Sequence, residues 1–352
     1  MSISGRRHSR DGEAVSGSQR PPSRMADVAR LADVSVITVS RVLREPDRVA
    51  ASTRTRVLEA VRTIGYVPNL VASSLKSRRS GIVAAIIPSV AHSIVAEVIR
   101  GMNSVLKAEG LHLLLGDSGF SPEEEEELVA AFLARRPDAI YLTGTTHTRR
   151  THQMLEAARI PVIEAGNLAA SPIDMSVGYS NREAAQAMTH ALIGKGRRNI
   201  GYVGQTGREF IDRVQDRYSG YRDALSRNGI IFSAELMAEV ELSYRGGAEG
   251  ITALLERGHE IDAVFCTSDV IAVGVLFECQ RRRIAVPKRI AITGMDDQEI
   301  ASQCVPALST VKIPRFEMGR QAAQMICARL AGVVSKQTSV DLGFNLALRE
   351  TT

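Results

Sequence analysis

Tryptophan is absent from this 352-residue chain and aromatic residues make up only 4% of it, which by itself excludes little. More follows from the absence of any apolar run of about 18 residues, because a membrane-spanning helix needs one. The first 24 residues, "MSISGRRHSRDGEAVSGSQRPPSR", are basic and rich in Ser, Gly and Pro. They lack an apolar core segment, so no secretory signal is expected, and their composition predicts a disordered arm over 1–24. Cysteine is scarce: Cys266, Cys279, Cys304 and Cys327 stand far apart with no CxxC pair. That argues against a zinc site and against a disulfide framework, leaving a reduced, cytosolic protein as the expectation. No HExxH or GxSxG occurs, and the glycine-rich "GYVGQTGR" lacks the GxxxxGK[ST] phosphate loop. No catalytic constellation can be assembled from what remains, so neither enzyme nor cofactor is expected.

What is present is unevenly distributed. Residues 1–80 carry 15 Lys/Arg against 7 Asp/Glu, and the rest of the chain 29 against 32. A basic module on a slightly acidic body points to a polyanionic partner for the module alone. A solvated basic tail accounts for Arg6, Arg7, Arg10 and Arg20, but not for the arginines spaced along residues 24–62. Over 25–64 the apolar pattern is helical with short joints. Val28, Ala29, Leu31 and Ala32 are expected to bury one side of a first helix. Asp33 sits at a joint, where a short side chain tolerates left-handed backbone. Ser35 suits the N-cap of a second helix over 36–44 with Val39, Val42 and Leu43 inward. A third helix from about Thr53 turns Val57, Leu58 and Val61 inward and stops before Gly65. Such a trio is a helix-turn-helix module, whose second helix enters the major groove of DNA. On that helix Val36, Ile37, Ser40, Arg41 and Arg44 face outward. Arg41 can bond guanine through two N–H groups, and the Thr38 and Ser40 hydroxyls can hold phosphates or base edges. Val36 and Ile37 suit thymine methyls, unless they merely thicken a small core.

Beyond residue 80 apolar runs alternate with helical stretches: "GIVAAIIP" (81–88), "LHLLLGD" (111–117), "DAIYLTG" (138–144), "IPVIEAG" (160–166), "NIGYVGQ" (199–205), "DAVFCTS" (262–268) and "RIAITGMD" (289–296). That alternation predicts α/β architecture with parallel sheets covered on both faces, and its length predicts two similar lobes. The run "EEEEE" at 123–127 follows Ser121-Pro122, a cap and first-position proline, and reads as a solvated helix start. In such sheets ligands sit beyond the carboxyl ends of the strands. Those ends carry "PSVAHS", "GDSG", "TGTTHT", "EAGN", "TSD" and "GMDD", rich in the hydroxyls, carboxylates and amides that bind a polyol.

The stretches "DVA", "VSVITVSRVL", "GYVPN" and "ASSL", followed by "VFCTSDVIAVGV", "AITGMDD" and "LSTVKIPRFEMGRQA", resemble the lac/gal repressor family over roughly residues 25–348. Asp33 stands where that family usually has glycine. The resemblance implies a helix-turn-helix head (25–66), a hinge helix or linker (67–80) and a two-lobed effector and dimerisation domain (81–352) like the periplasmic sugar-binding fold. A helix capped by Asn69 over Leu70–Lys76 is too short to persist alone and is expected to fold on DNA. Lys76, Arg78 and Arg79 supply phosphate affinity. The resemblance implies that paired hinge helices enter the minor groove, with Asn69 and Ala72 at the DNA and Leu75 wedging a base step. By position in the family motifs, Glu164, Arg217, Ser268, Asp296 and Arg315 fall where effectors are held. The strand-end loops add His92, Thr145 and His147, while Asp269 reads as structural. Arg315, Arg217 and His147 would give the cleft a positive end, apt for a carboxylate. "LTGTTHTRRT", "SVGYSNREAAQAMT", "FECQR" and "DLGF" are similar to the gluconate operon repressor subgroup, implying gluconate, 2-ketogluconate or idonate as effector. The expected partners are therefore a near-palindromic double-stranded operator, a sugar acid and a second copy of the chain, with a tetramer left open. Two alternatives remain open: a relative responding to another sugar or a nucleobase, and an architectural DNA-binding protein indifferent to small molecules. A periplasmic binding protein would share the lobes but need an export signal and no head.

Overall fold

The computed structural model describes residues 23–67, 79–90, 93–205 and 212–352. Residues 1–22 of the arm expected over 1–24, the hinge residues Asn69, Ala72, Leu75, Lys76 and Arg78, and His92 lie outside the described residues. The arm's last two residues belong to the head instead, the Ser23 hydroxyl donating to the Ile64 carbonyl at 2.9 Å and Arg24 standing at the N-cap of the first helix. The chain divides into two compact units, Met1–Arg78 and Arg79–Thr352.

In the first unit α1 (Met25–Leu31), α2 (Val36–Arg44) and α3 (Ala51–Ile64) pack around Val28, Ala29, Ala32, Val39, Val42, Val57, Ala60 and Tyr66. Asp33 takes the left-handed backbone of the joint at φ 48°, which an aspartate adopts at modest cost. Ser35 caps α2 by accepting from the Thr38 N–H at 3.1 Å. Gly65, at φ 63°, ends α3 where a side chain would be strained. Two expected core positions differ. Leu31 is 53% exposed, and Leu58 lies on the outer flank of α3 while Ala60 takes the inner place. The helical stripe is narrow enough for alanine to fill, so the larger residues at its margin stay wet.

The second unit contains two sheets of one topology. The first runs β11 (Ser339–Asp341), β5 (Met175–Gly178), β4 (Val162–Ala165), β3 (Ala139–Thr143), β1 (Ile82–Ile87), β2 (His112–Asp117), all parallel. The second runs β12 (Asn345–Ala347), β10 (Ser309–Lys312), β9 (Ala291–Asp296), β8 (Ala263–Cys266), β6 (Ile200–Gly204), β7 (Met237–Glu239), parallel except for β12. Every long apolar run seen in the sequence is a strand; the short β5, β7, β10, β11 and β12 are additional. The chain passes between lobes after β5, after β10 and between β11 and β12. Hence α4 (Ser93–Leu106) of the first lobe packs on α12 (Arg315–Leu330), which follows the short α11 (Glu299–Gln303) and nearly all of the second lobe in sequence.

Three helix pairs meet backbone to backbone through glycine. A Cβ at Gly101 on α4 would lie 2.0 Å from the Phe316 carbonyl oxygen, and one at Gly319 on α12 2.0 Å from that of Val98. In the second lobe α9 (Tyr244–Glu256) and α10 (Asp269–Arg281) meet similarly: Cβ atoms at Gly247 and Gly274 would lie 2.1 Å from the Ile271 and Tyr244 oxygens. The third pair is α7 (Asn181–Gly194) with α8 (Asp212–Arg227), joined at Gly220. Ser121 caps α5 (Pro122–Leu133) as read from the sequence, but the acids behind it are not all solvated. Glu125 is buried, and Glu126 accepts from the Thr148 hydroxyl at 2.6 Å and pairs with Arg150 at 3.2 Å. They pin the loop before α6 (Arg149–Ala158). Cys266, Cys279 and Cys304 are buried free thiols, and Cys327 is half-buried. No helix among the described residues is long and apolar enough to cross a membrane.

Candidate functional site

The outer face of α2 carries Val36, Ile37, Ser40, Arg41 and Arg44 because Val39 and Val42 take the inner one. Ile37 is 71% and Val36 45% exposed, so neither thickens the core. The Thr38 hydroxyl sits 2.9 Å from that of Ser35, within the cap itself. Arg30, Arg48 and Arg54 are paired with Asp27, Glu45 and Asp47. Among the described residues no carboxylate pairs with the exposed Arg41 or Arg44. Exposed aliphatic side chains in the first turn of α2, with unneutralised guanidiniums farther along the same outer face, match what a major groove offers.

In the second unit, the carboxyl ends of both sheets face a cleft with about 970 Å³ of empty space, its mouth included. The first lobe gives it an apolar wall of Ile87, Ile94, Val95, Val98, Phe120 and Tyr141; the second lobe and the crossovers supply Gln205, Arg213, Arg217, Ser268, Asp296 and Arg315. Arg217 projects from α8 and donates to Asn181 Oδ1 (2.8 Å), the Thr267 carbonyl (2.7 Å) and the Tyr179 hydroxyl (3.1 Å). All three acceptors are neutral; the carboxylate whose charge acts on it, Asp296, is already paired with Arg315. Arg315, by contrast, lies 2.7 Å from Asp296, and both side chains are almost inaccessible. Even so, Arg315 Nη2 and Asp296 Oδ2 lack an aligned hydrogen bond, leaving buried polar capacity directed at the cleft. Asp296 and Asp297 hold φ of 128° and 52°, a strained pair at a strand end of the kind that clusters at ligand sites. Behind them Asp269 is buried, accepting from the Thr310 hydroxyl (2.5 Å) and the Gln298 N–H (2.7 Å). Burial, with the nearby Asp296 carboxylate, pushes its pKa up. Ser268 caps α10 by accepting from the Val270 N–H at 3.1 Å.

Thr145, His147 and Glu164 do not line this cleft. The His147 side chain is fully buried in the first lobe, its Nδ1 2.6 Å from Glu125 and its Nε2 3.5 Å from Glu164. Burial pushes its pKa down, but hydrogen bonds and charge from the two glutamates push it further up, to about 9. Glu164 also accepts from the Ile173 N–H at 2.7 Å. His147 is therefore a charged pin between α5, β4 and the loop after β3, and gives the cleft no positive end. Thr145 instead bonds Asp212 at the start of α8, through its N–H (3.0 Å) and its hydroxyl (2.6 Å). Sequence reading missed Arg213, although it precedes Arg217 by one helical turn, a spacing that shares a face. It also missed Asn167 and Asp212, whose types say nothing until the two lobes are brought together.

Residues 24–69 match the profile described as "Bacterial regulatory proteins, lacI family", and residues 189–352 that of a "Periplasmic binding protein-like domain". The chain is similar to the HTH-type transcriptional regulator GntR of Escherichia coli K12, with 36% identity over 92% of this chain and 96% of the relative. It is 33% identical to the HTH-type transcriptional regulator IdnR of the same strain over 92% and 96%. A solved transcriptional regulator of the same family from Silicibacter pomeroyi superposes with a TM-score of 0.87 at 33% identity, covering 94% of this chain and 99% of that one.

Proposed function

This chain belongs to the lacI family of bacterial regulatory proteins, and from that premise we propose that it is a cytoplasmic repressor of sugar-acid catabolic genes, released from its operator when a gluconate-like acid enters the cleft. Two chains supply two heads for a near-palindromic operator, each reading one half-site through Ser35, Val36, Ile37, Thr38, Ser40 and Arg41. The observation that carries the ligand class is Arg217. Its five N–H groups serve three neutral acceptors, and a carboxylate supplies a charged acceptor for the N–H groups that remain. Arg315 and Asp296 then serve hydroxyl groups, and the apolar wall packs on the carbon chain. That wall also favours a second reading, a flat ligand such as a nucleobase.

Titration calorimetry of the full chain against gluconate, 2-ketogluconate, idonate, glucose and adenine separates these readings. The acids are expected to bind at least about tenfold more tightly than glucose, a difference of roughly 1.4 kcal/mol, and gluconate to release an operator fragment. Equal affinity for glucose, or binding of adenine alone, sinks the sugar-acid assignment.

A further inference from the structure

Between the lobes, outside the cleft's own lining, lies a chain of polar contacts that the ligand does not need in order to be held. Asp212 opens α8 on the second lobe, and Oδ2 of its carboxylate accepts from the Thr145 N–H, the Thr145 hydroxyl and, at 3.2 Å, the Asn167 amide. The same Asn167 Nδ2 donates to Asp216 Oδ2 at 2.6 Å, one turn along α8. Thr145 and Asn167 follow β3 and β4 of the first lobe, so each of these bonds ties one lobe to the other. Asn167 is 5% exposed, and a Cβ at Gly178 would lie 2.3 Å from its carbonyl oxygen, so its seat is shaped for it. Burial raises the Asp212 pKa, but Arg213, the Thr145 and Asn167 donors and its own helix hold it below the usual carboxylate range. The carboxylate therefore stays charged and its bonds charge-assisted.

The tie continues into the cleft. Asn181 donates to Asn167 Oδ1 at 3.4 Å and to the Gly166 carbonyl at 2.9 Å, while its Oδ1 accepts from Arg217. One hydrogen-bonded path thus runs from Arg217 through Asn181 and Asn167 to Asp212, Asp216 and Thr145. We propose that Thr145, Asn167, Asp212 and Asp216 form a latch that holds the lobes together before ligand arrives, with Asn167 and Asp212 as positioning residues for effector recognition. A protein already held in its binding-competent shape binds with a smaller penalty, because apparent affinity scales with the fraction in that shape. Coupling to effector affinity rests on the proposed reading of the cleft; the latch itself does not.

The test uses the full chain without ligand, with dyes placed at the exposed Glu109 of the first lobe and Glu256 of the second, read by single-molecule energy transfer. The unaltered protein is expected to show one high-transfer population. Asn167→Asp replaces the donor by a third carboxylate and should shift molecules to low transfer, with gluconate affinity falling by about tenfold or more as the competent fraction falls. Adding Asp212→Asn returns a donor and acceptor pair and should restore part of the high-transfer population, which a mere packing lesion would not allow. If Asn167→Asp fails to fold, Thr145→Val removes one hydroxyl donor without adding charge and should give a smaller shift in the same direction. Unchanged transfer in whichever of the two single variants folds overturns the latch. If no sugar acid binds the unaltered protein, the ligand reading fails while the energy-transfer comparison still decides this proposal.

Discussion

Arg41 and His147 are both cations, and their settings assign them opposite work. Arg41 is exposed and has no carboxylate partner among the described residues, so Arg41→Ala should cost about 1–3 kcal/mol of operator affinity at one base position and relax preference there. Uniform weakening on specific and random DNA, measured by competition binding, would make it a phosphate contact. His147 is sealed between two carboxylates with its pKa at about 9. Its folded value lies above the unfolded one near 6.5, so its stabilisation is complete below pH 6.5 and is lost as pH rises through about 9. The shift corresponds to about 3 kcal/mol. His147→Gln should therefore lose stability against the parent at pH 7 and converge on it at pH 10. Urea unfolding at both values checks this, and a constant gap between the two proteins contradicts it. The sequence showed a histidine in a strand-end loop with hydroxyls, a good ligand by type. Only the fold reveals that Glu125, from the acid run, reaches it first.

Glycine sets the helix pairing. Gly274→Ala would place a methyl group 2.1 Å from the Tyr244 carbonyl oxygen, and a backbone oxygen inside a helix cannot swing aside. A loss of about 3 kcal/mol is expected. Gly194→Ala, in the exposed last turn of α7 with nothing near its Cβ, should instead gain up to about 1 kcal/mol from helix propensity. Denaturant midpoints of the two variants moving the same way would refute this account. At this scale the sequence was legible where a run was long and apolar: β1, β2, β3, β4, β6, β8 and β9 each stand inside a stretch visible by eye. The missed strands β5 "MSVG", β7 "MAE", β10 "STVK", β11 "SVD" and β12 "NLA" are three or four residues long. Their pairing comes from the sheet edge they join, and no period can be read from so few positions. In α2 the heavy residues facing outward were legible as an anomaly of pattern, since no core explains Ile37. The margins of α1 and α3 were not, because Leu31 and Leu58 differ from core leucines only in what they face.

As a whole, the chain joins a basic head to a body whose lobes are interleaved in sequence. The charge asymmetry and the repeated strand and helix pattern made that division readable, whereas the latch between lobes was invisible because its four residues are scattered from 145 to 216. The interleaving also orders events during synthesis. A head spanning residues 23–67 has all of its core side chains once α3 and Tyr66 have left the ribosome, and a domain able to fold alone then folds as a unit. The first lobe cannot follow at once. Its strands β1 to β5 are made by residue 178, but α12, against which α4 packs, ends at residue 330, and its edge strand β11 ends at 341. Translation therefore finishes most of the second lobe while the first still exposes an apolar helix face. A ribosome that stalls between residues 180 and 315 leaves behind a completed DNA reader tethered to an unfinished, aggregation-prone sensor.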